Sequence, residues 1–248
     1  MRDLPRFFLP LSHLSAESVE FQEADAIHLQ RVLRLNAGDR VYVLDGQGAC
    51  FLVELVSIEK RSARGHILSR VEAGGELPVP VTLVQGLPKG EKFDWILQKA
   101  TELGVMRIQP TITRRSVVKV ASERSSEKLR RWDAIVREAA EQCERARVPE
   151  ISPPCALDEW LAIPKAEGVM RLACLERADA PSIWKKLASS PDIRAIEVIV
   201  GPEGGFAPEE HDALLYSGAQ GVSLGRRILR TETASLAALS AIALALET

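Results

Sequence analysis

Two glycine-bearing turns stand close together near the end of this 248-residue chain, GPEGG at residues 201–205 and LGRRILR at residues 224–230, each directly after an apolar β-type run. Glycine carries no side chain and tolerates positive φ, so each turn allows the backbone to come close to a ligand. One such turn is ordinary turn chemistry. Two at this separation, with Arg230 beside Thr231, Glu232 and Thr233, point to a pocket walled by main chain. They also restrict the fold, because the strands feeding them must end on the same side of a sheet.

The rest of the chain supplies that sheet. Beyond residue 80, β-type runs at 81–85, 107–111, 169–174, 195–200 and 221–224 alternate with helical periodicity. The helix expected over 91–103 repeats Phe93, Ile96, Leu97, Ala100 and Leu103 at three- and four-residue steps before Gly104 closes it. The longest helix, expected over 126–145, buries Leu129, Trp132, Val136, Ala139 and Cys143 along one stripe. Outside it, Glu127 with Arg131 and Arg137 with Glu141 fall at i,i+4 spacing. This alternation predicts an α/β domain over 81–248 with a mainly parallel sheet and ligands at the strand carboxyl ends, where both glycine turns fall. Residues 1–72 read differently. Short β runs at 41–44, 51–58 and 65–71, separated by turn signals such as Asp45-Gly46-Gln47-Gly48, predict a small barrel. The segment AGGELPVP at 73–80 breaks every periodicity, as a linker does.

Composition then excludes whole classes of function. With 46% hydrophobic residues the chain has material for a proper core. Its four cysteines contain no C-x-x-C pair, and no histidine has ligand spacing to them, so neither a disulfide scaffold nor a metal site is expected. The N-terminal MRDLPRFFLPL lacks the apolar region of a secretory signal, and the apolar run 234–246 is too short for a bilayer and reads as a buried helix. A cytoplasmic protein fits these features. The net charge of −2 hides an asymmetry, for residues 107–147 hold 11 basic and 6 acidic side chains. That local excess suits a phosphate backbone as well as a solvated helix face. Neither G-x-x-x-x-G-K-[ST] nor G-x-G-x-x-G occurs. Glu203, inside GPEGG, is unfavourable beside a triphosphate but acceptable beside a cationic ligand such as S-adenosylmethionine.

Further motifs run nearly end to end: Arg6-Phe7-Phe8, HLQRVLRLNAGD at 28–39, KGEKFDWILQKATELGV at 89–105, TRRSVVK at 113–119, EAAEQCERARVPEI at 138–151, then GPEGGF and SLGRRILRTETA. Together they resemble the uridine-N3 methyltransferases of small-subunit (16S) ribosomal RNA, the RsmE family of the SPOUT methyltransferases. The resemblance implies a PUA-like N-terminal RNA-binding barrel, a trefoil-knotted C-terminal domain, a homodimer, and S-adenosylmethionine bound in a cleft of knot loops. Carried over, those walls are Leu172 to Leu175, Val200, Gly201, Pro202, Glu203, Gly204 and Gly205, and Leu224, Gly225, Ile228 and Leu229, with Thr233 nearby. The match is weakest around residues 171–176, where no motif marks the first loop.

Uridine N3 is a poor nucleophile until its proton leaves, and extruding a paired base typically costs a few kcal/mol. Arg230 is the candidate for stabilising charge on the uracil carbonyl oxygens, because a guanidinium stays protonated and offers fixed donors. Glu232 is the nearest candidate base, although as an early residue of the last helix it also suits the dipole, with Thr231 or Thr233 as the cap. Glu203 and Glu138 keep the identity of the base open. Arg114, Arg115 and Lys119, with Arg6, Arg31 and Arg34, are expected to track RNA phosphates, and Gln142 and Arg145 are further candidates. A related enzyme acting on another base or a ribose 2'-hydroxyl, and a non-catalytic RNA-binding assembly factor, are the alternatives. Assembled subunits and naked RNA are equally open as substrate.

Overall fold

The computed structural model describes residues 4–72, 74–116, 125–175, 180–189 and 192–247, and backbone contacts divide the chain into two units. The first comprises Met1–Glu76 with Ala140–Val148. Its elements are β1 (Arg6–Phe8), β2 (Ser18–Phe21), α1 (Glu23–Ile27), β3 (Arg40–Leu44), β4 (Cys50–Ile58) and β5 (Ala63–Val71). The strands form one sheet in the order β1-β3-β4-β5-β2, antiparallel except for the β1–β3 pair. Phe7 on one edge strand and Phe21 on the other meet edge to face with ring centroids 5.6 Å apart. The sheet therefore curls around a core that includes Val19, Leu29, Val41, Val43, Val53 and Leu55.

Sequence periodicity assigned the segment Ala140–Val148 to the second domain, and the structure corrects this. Ala140 and Ala146 bury against Phe8, Leu44 and Cys50 of the first unit. Arg145 is 2% exposed and grips Glu76 through two nitrogens, at 3.2 and 2.6 Å. The Glu76 carboxylate also accepts the Arg147 backbone N–H at 3.0 Å.

The second unit comprises Leu77–Ala139 and Pro149–Thr248. In chain order it holds β6 (Val81–Gly86), α2 (Lys92–Glu102), β7 (Arg107–Ile112), α3 (Ser125–Gln142, whose last turn lies in the first unit), β8 (Glu150–Ile151), β9 (Cys155–Ala156) and α4 (Leu157–Leu161). Then follow β10 (Val169–Cys174), α5 (Ile183–Ala188), β11 (Ala195–Val200), α6 (Pro208–Tyr216), β12 (Gln220–Val222) and α7 (Thr231–Glu247). The sheet runs β12-β10-β11-β6-β7-β8 with β9 beside β7, and every pairing is parallel. Central strands covered on both faces read as continuous apolar runs, as VTLV and AIEVIV do here.

α3 stops at Gln142, three residues before its expected end, because Glu144 takes a φ of +61° and the Arg145 N–H turns back to the Ala140 carbonyl. Trp132, Val136 and Ala139 are buried as the periodicity requires, while Leu129 is half-buried and Cys143 lies past the helix end. Arg131 pairs with Asp94 of α2, a residue distant in sequence, in place of a local i,i+4 partner. Phe93 of α2 meets the Trp132 ring edge-on at 4.7 Å. α7 is longer than expected and not buried all round. Thr231, Ser235, Ala238, Leu239 and Ile242 face the core, whereas Leu244 is 58% exposed. A 2%-exposed Arg171 in β10 was also unforeseen; it is held by Glu197 at 2.6 Å and stacks 4.4 Å from the Trp160 ring. No described helix is long and apolar enough to cross a membrane.

Candidate active site

Strands β12, β10, β11 and β6 are consecutive and parallel, so their carboxyl ends open onto one edge of the sheet. The chain leaves β11 at Val200, β12 at Val222 and β10 at Cys174, and a cavity of about 1030 Å³ lies among these exits. Val200, Gly201, Pro202, Gly204 and Gly205 line it from the first glycine turn, and Leu224, Gly225, Ile228 and Leu229 from the second. Gly205 and Gly225 have φ of +64° and +115°, conformations that a β-carbon would strain.

The third wall is smaller than anticipated. Cys174 and Leu175 reach the cavity, but Leu172 is fully buried within β10 and does not. Burial pushes the Cys174 thiol up to about 12, so it stays protonated and unreactive at neutral pH. Phe206 and Ala234, absent from the residues expected at the site, complete the apolar lining.

What holds the two turns together is a buried polar network that the motifs did not reveal. The Thr231 hydroxyl donates to the Gly201 carbonyl at 2.6 Å and accepts from the Gln85 amide at 3.0 Å. The Ser235 hydroxyl contacts both the Gln85 carbonyl oxygen, at 2.5 Å, and the Thr231 carbonyl, at 2.9 Å. Gln85, Thr231 and Ser235 are all buried. The network thus ties the end of β6 and the start of α7 to the first residue of GPEGG. Gly86 completes the fit, because a β-carbon there would lie 2.5 Å from Pro202 Cδ. A polar Gln closing the apolar strand VTLVQG was the one sequence signal available. Thr231 is therefore no helix cap, and Thr233 lies exposed on α7 without lining the cavity.

Charged groups gather beside this junction. Both Glu203 oxygens are engaged: Oε1 accepts from Lys92 Nζ at 2.8 Å and from the Lys89 N–H at 3.2 Å, and Oε2 from the same N–H at 3.4 Å. Burial opposes ionisation of Glu203, but the hydrogen bonds from Lys92 and the backbone and the Lys92 charge outweigh it and hold the carboxyl below its usual range. Lys92 also lies 3.9 Å from Glu232 Oε2, a buried oxygen with no hydrogen-bond partner. Arg230, the residue before α7, is exposed, and its carbonyl accepts the first helical N–H, from Ala234, at 2.8 Å. Glu138 is exposed on α3.

The residues expected to meet RNA have diverse surroundings. Arg115 lines the cavity and donates to the Gly204 carbonyl at 2.9 Å. Arg114 is exposed; its backbone N–H is anchored at 2.7 Å by Glu210, whose carboxylate also caps α6 through the Ala207 N–H at 2.8 Å. Lys119 lies outside the described residues. In the first unit Arg31 and Arg34 are exposed, whereas Arg6 pairs with Glu144 at 2.7 Å and stacks on Tyr42. Gln142 is exposed. Arg145 is corrected from a surface contact to a buried structural cation, since its charge is consumed by Glu76. Among the described residues no cluster of His, Cys, Asp or Glu could hold a metal ion.

A parallel α/β sheet whose glycine turns wall a cavity, joined to a curled β unit, defines the class: residues 75–243 match the RNA methyltransferase domain and residues 21–68 the RNA methyltransferase PUA domain. The chain is 38% identical over 230 residues to the ribosomal RNA small subunit methyltransferase E of Synechocystis sp., covering 93% of this chain and 74% of that one. It is 33% identical over 245 residues to the protein of the same name from Bacillus subtilis, covering 96% of each. The crystal structure of a ribosomal RNA small subunit methyltransferase E from Neisseria gonorrhoeae bound to S-adenosyl methionine superposes with a TM-score of 0.85 at 35% identity, over 96% of both chains. The chain belongs to the ribosomal RNA small subunit methyltransferase E family.

Proposed function

We propose that this protein methylates N3 of a specific uridine in small-subunit ribosomal RNA, with S-adenosylmethionine as donor. The observation that carries the reading is the cavity walled by the two glycine turns, in a chain similar over nearly its whole length to a structure with that cofactor bound. The residues fit the group. Exposed main chain in the turns offers hydrogen bonds to an adenine edge, while Val200, Leu224 and Leu229 offer apolar contact to its faces. When bound, S-adenosylmethionine supplies an electrophilic methyl group.

The chain's own residues have the remaining work. Arg230 is the group that stabilises negative charge on the uracil carbonyl oxygens once N3 loses its proton. Glu232 is favoured over Glu203 as acceptor of that proton, because both Glu203 oxygens are engaged whereas Glu232 Oε2 is not. Lys92, between the two carboxylates, keeps Glu232 oriented without a close hydrogen bond. Thr231 positions the Gly201 carbonyl. Thr231→Val should weaken S-adenosylmethionine binding about tenfold in calorimetry by leaving buried polar groups unpaired, and Thr231→Ser should restore it.

The same reading includes a homodimer, a trefoil-knotted backbone in the second unit and a cytoplasmic location where small subunits are assembled. Its test is methylation of deproteinised small-subunit RNA and of purified small subunits, followed by nucleoside digestion and mass spectrometry. N3-methyluridine is the expected product. A ribose-methylated nucleoside, or no product from either substrate, would overturn the reading.

A further inference from the structure

The charge of the cavity wall is one-sided. Its lining includes Arg115, Lys185, Arg226 and Arg227 and, among the described residues, neither aspartate nor glutamate. S-adenosylmethionine brings a sulfonium and an ammonium against a single carboxylate, so it cannot satisfy four cations and is repelled by most of them. The excess is therefore available to a second anion.

All four are exposed, but Arg115 is held by the Gly204 carbonyl at 2.9 Å, whereas Lys185, Arg226 and Arg227 have no side-chain ion pair or hydrogen bond among the described residues. These last three come from two separate segments that are fixed side by side. Ser182 and Ser223 form a parallel bridge, the Ile183 N–H donates to the Ser223 carbonyl at 3.1 Å, and the Ser223 N–H donates to the Pro181 carbonyl at 2.9 Å. The Ser223 hydroxyl accepts the Gly225 N–H at 3.2 Å, which shapes the turn that presents the arginine pair. A cofactor wholly enclosed by the cavity would not need long, solvated cations at its mouth, but a polyanion running past that mouth would.

We propose that Lys185, Arg226 and Arg227 form a phosphate subsite that holds the phosphodiesters flanking the base to be methylated. The subsite presupposes that the cavity takes the methyl donor and an RNA base. Its role is to position the RNA strand, since phosphate contacts fix register without reading sequence.

The test compares wild type with Arg226→Ala/Arg227→Ala, with Lys185→Ala, and with Arg226→Lys/Arg227→Lys, all as full-length protein. A fragment of small-subunit RNA is titrated across a salt series, and S-adenosylmethionine affinity is measured separately by calorimetry. The arginine pair to alanine should weaken RNA binding about tenfold and flatten the slope of log K against log salt by about 0.7 for each phosphate no longer held. Cofactor affinity should stay within about twofold of wild type, since the contacts assigned to the donor are main chain and the side chains of Val200, Leu224 and Leu229, none of which these substitutions remove. The lysine pair should recover most of the slope, which separates missing charge from a misfolded turn. An unchanged RNA slope in the alanine variants, or a loss of cofactor affinity in step with RNA affinity, would overturn the subsite. Wild-type protein that binds RNA with the full slope but no S-adenosylmethionine would instead strike at the methyltransferase reading and leave the phosphate contacts standing.

Discussion

Replacing Arg230 with alanine is expected to slow methylation by about a thousandfold, the upper range for losing one charge-stabilising donor, with S-adenosylmethionine affinity nearly unchanged. The geometry separates the two effects. The helix start uses the Arg230 carbonyl, which alanine retains, and the fold gives the exposed guanidinium no partner among the described residues. Its neighbours Leu229 and Thr231 both line the cavity, which places the Arg230 backbone at its margin. Arg230→Lys should recover only part of the rate, because an ammonium keeps the charge without the planar fork. Single-turnover kinetics beside calorimetry would settle the assignment. A fall in cofactor affinity as large as the fall in rate would make Arg230 a structural residue, and an unaltered rate would remove it from the reaction.

The second large effect lies in the first unit. Glu76→Ala should destabilise the protein by about 3 kcal/mol, because it leaves the 2%-exposed Arg145 guanidinium without its carboxylate. Arg145→Met should cost clearly less. It removes the buried charge while keeping an aliphatic stem in place, and the Glu76 carboxylate, 21% exposed, retains water and the Arg147 N–H. Urea denaturation of both variants would measure the asymmetry. Equal and small losses would show that the pair is solvent-screened in solution.

Much of the second unit was legible because its signals are local. A strand covered on both faces is an apolar run, and a helix on a sheet is a stripe, so β6, β10, β11 and α2 follow from the order of their residues. GPEGG and LGRRILR were legible because two glycine turns follow apolar runs at short separation, where a single one would be ordinary turn chemistry. The short elements β8, β9, α4 and α5 carried too few residues to show a period. α3 ended early for a reason invisible to periodicity, the left-handed conformation of Glu144.

Among the candidate site residues, the chain's own order determined that two glycine turns would follow strands and that an arginine would close the second of them, because those properties depend on residues adjacent in sequence. Only the tertiary structure decided that Arg145 is buried and Arg115 is not, that Thr233 faces outward while Thr231 fastens Gly201, and that Lys92 reaches both Glu203 and Glu232. Each of the contacts behind those placements joins residues 30 or more positions apart. Arginine and threonine carry the same letters whether solvated or enclosed, and their roles are set by the neighbours that packing brings to them.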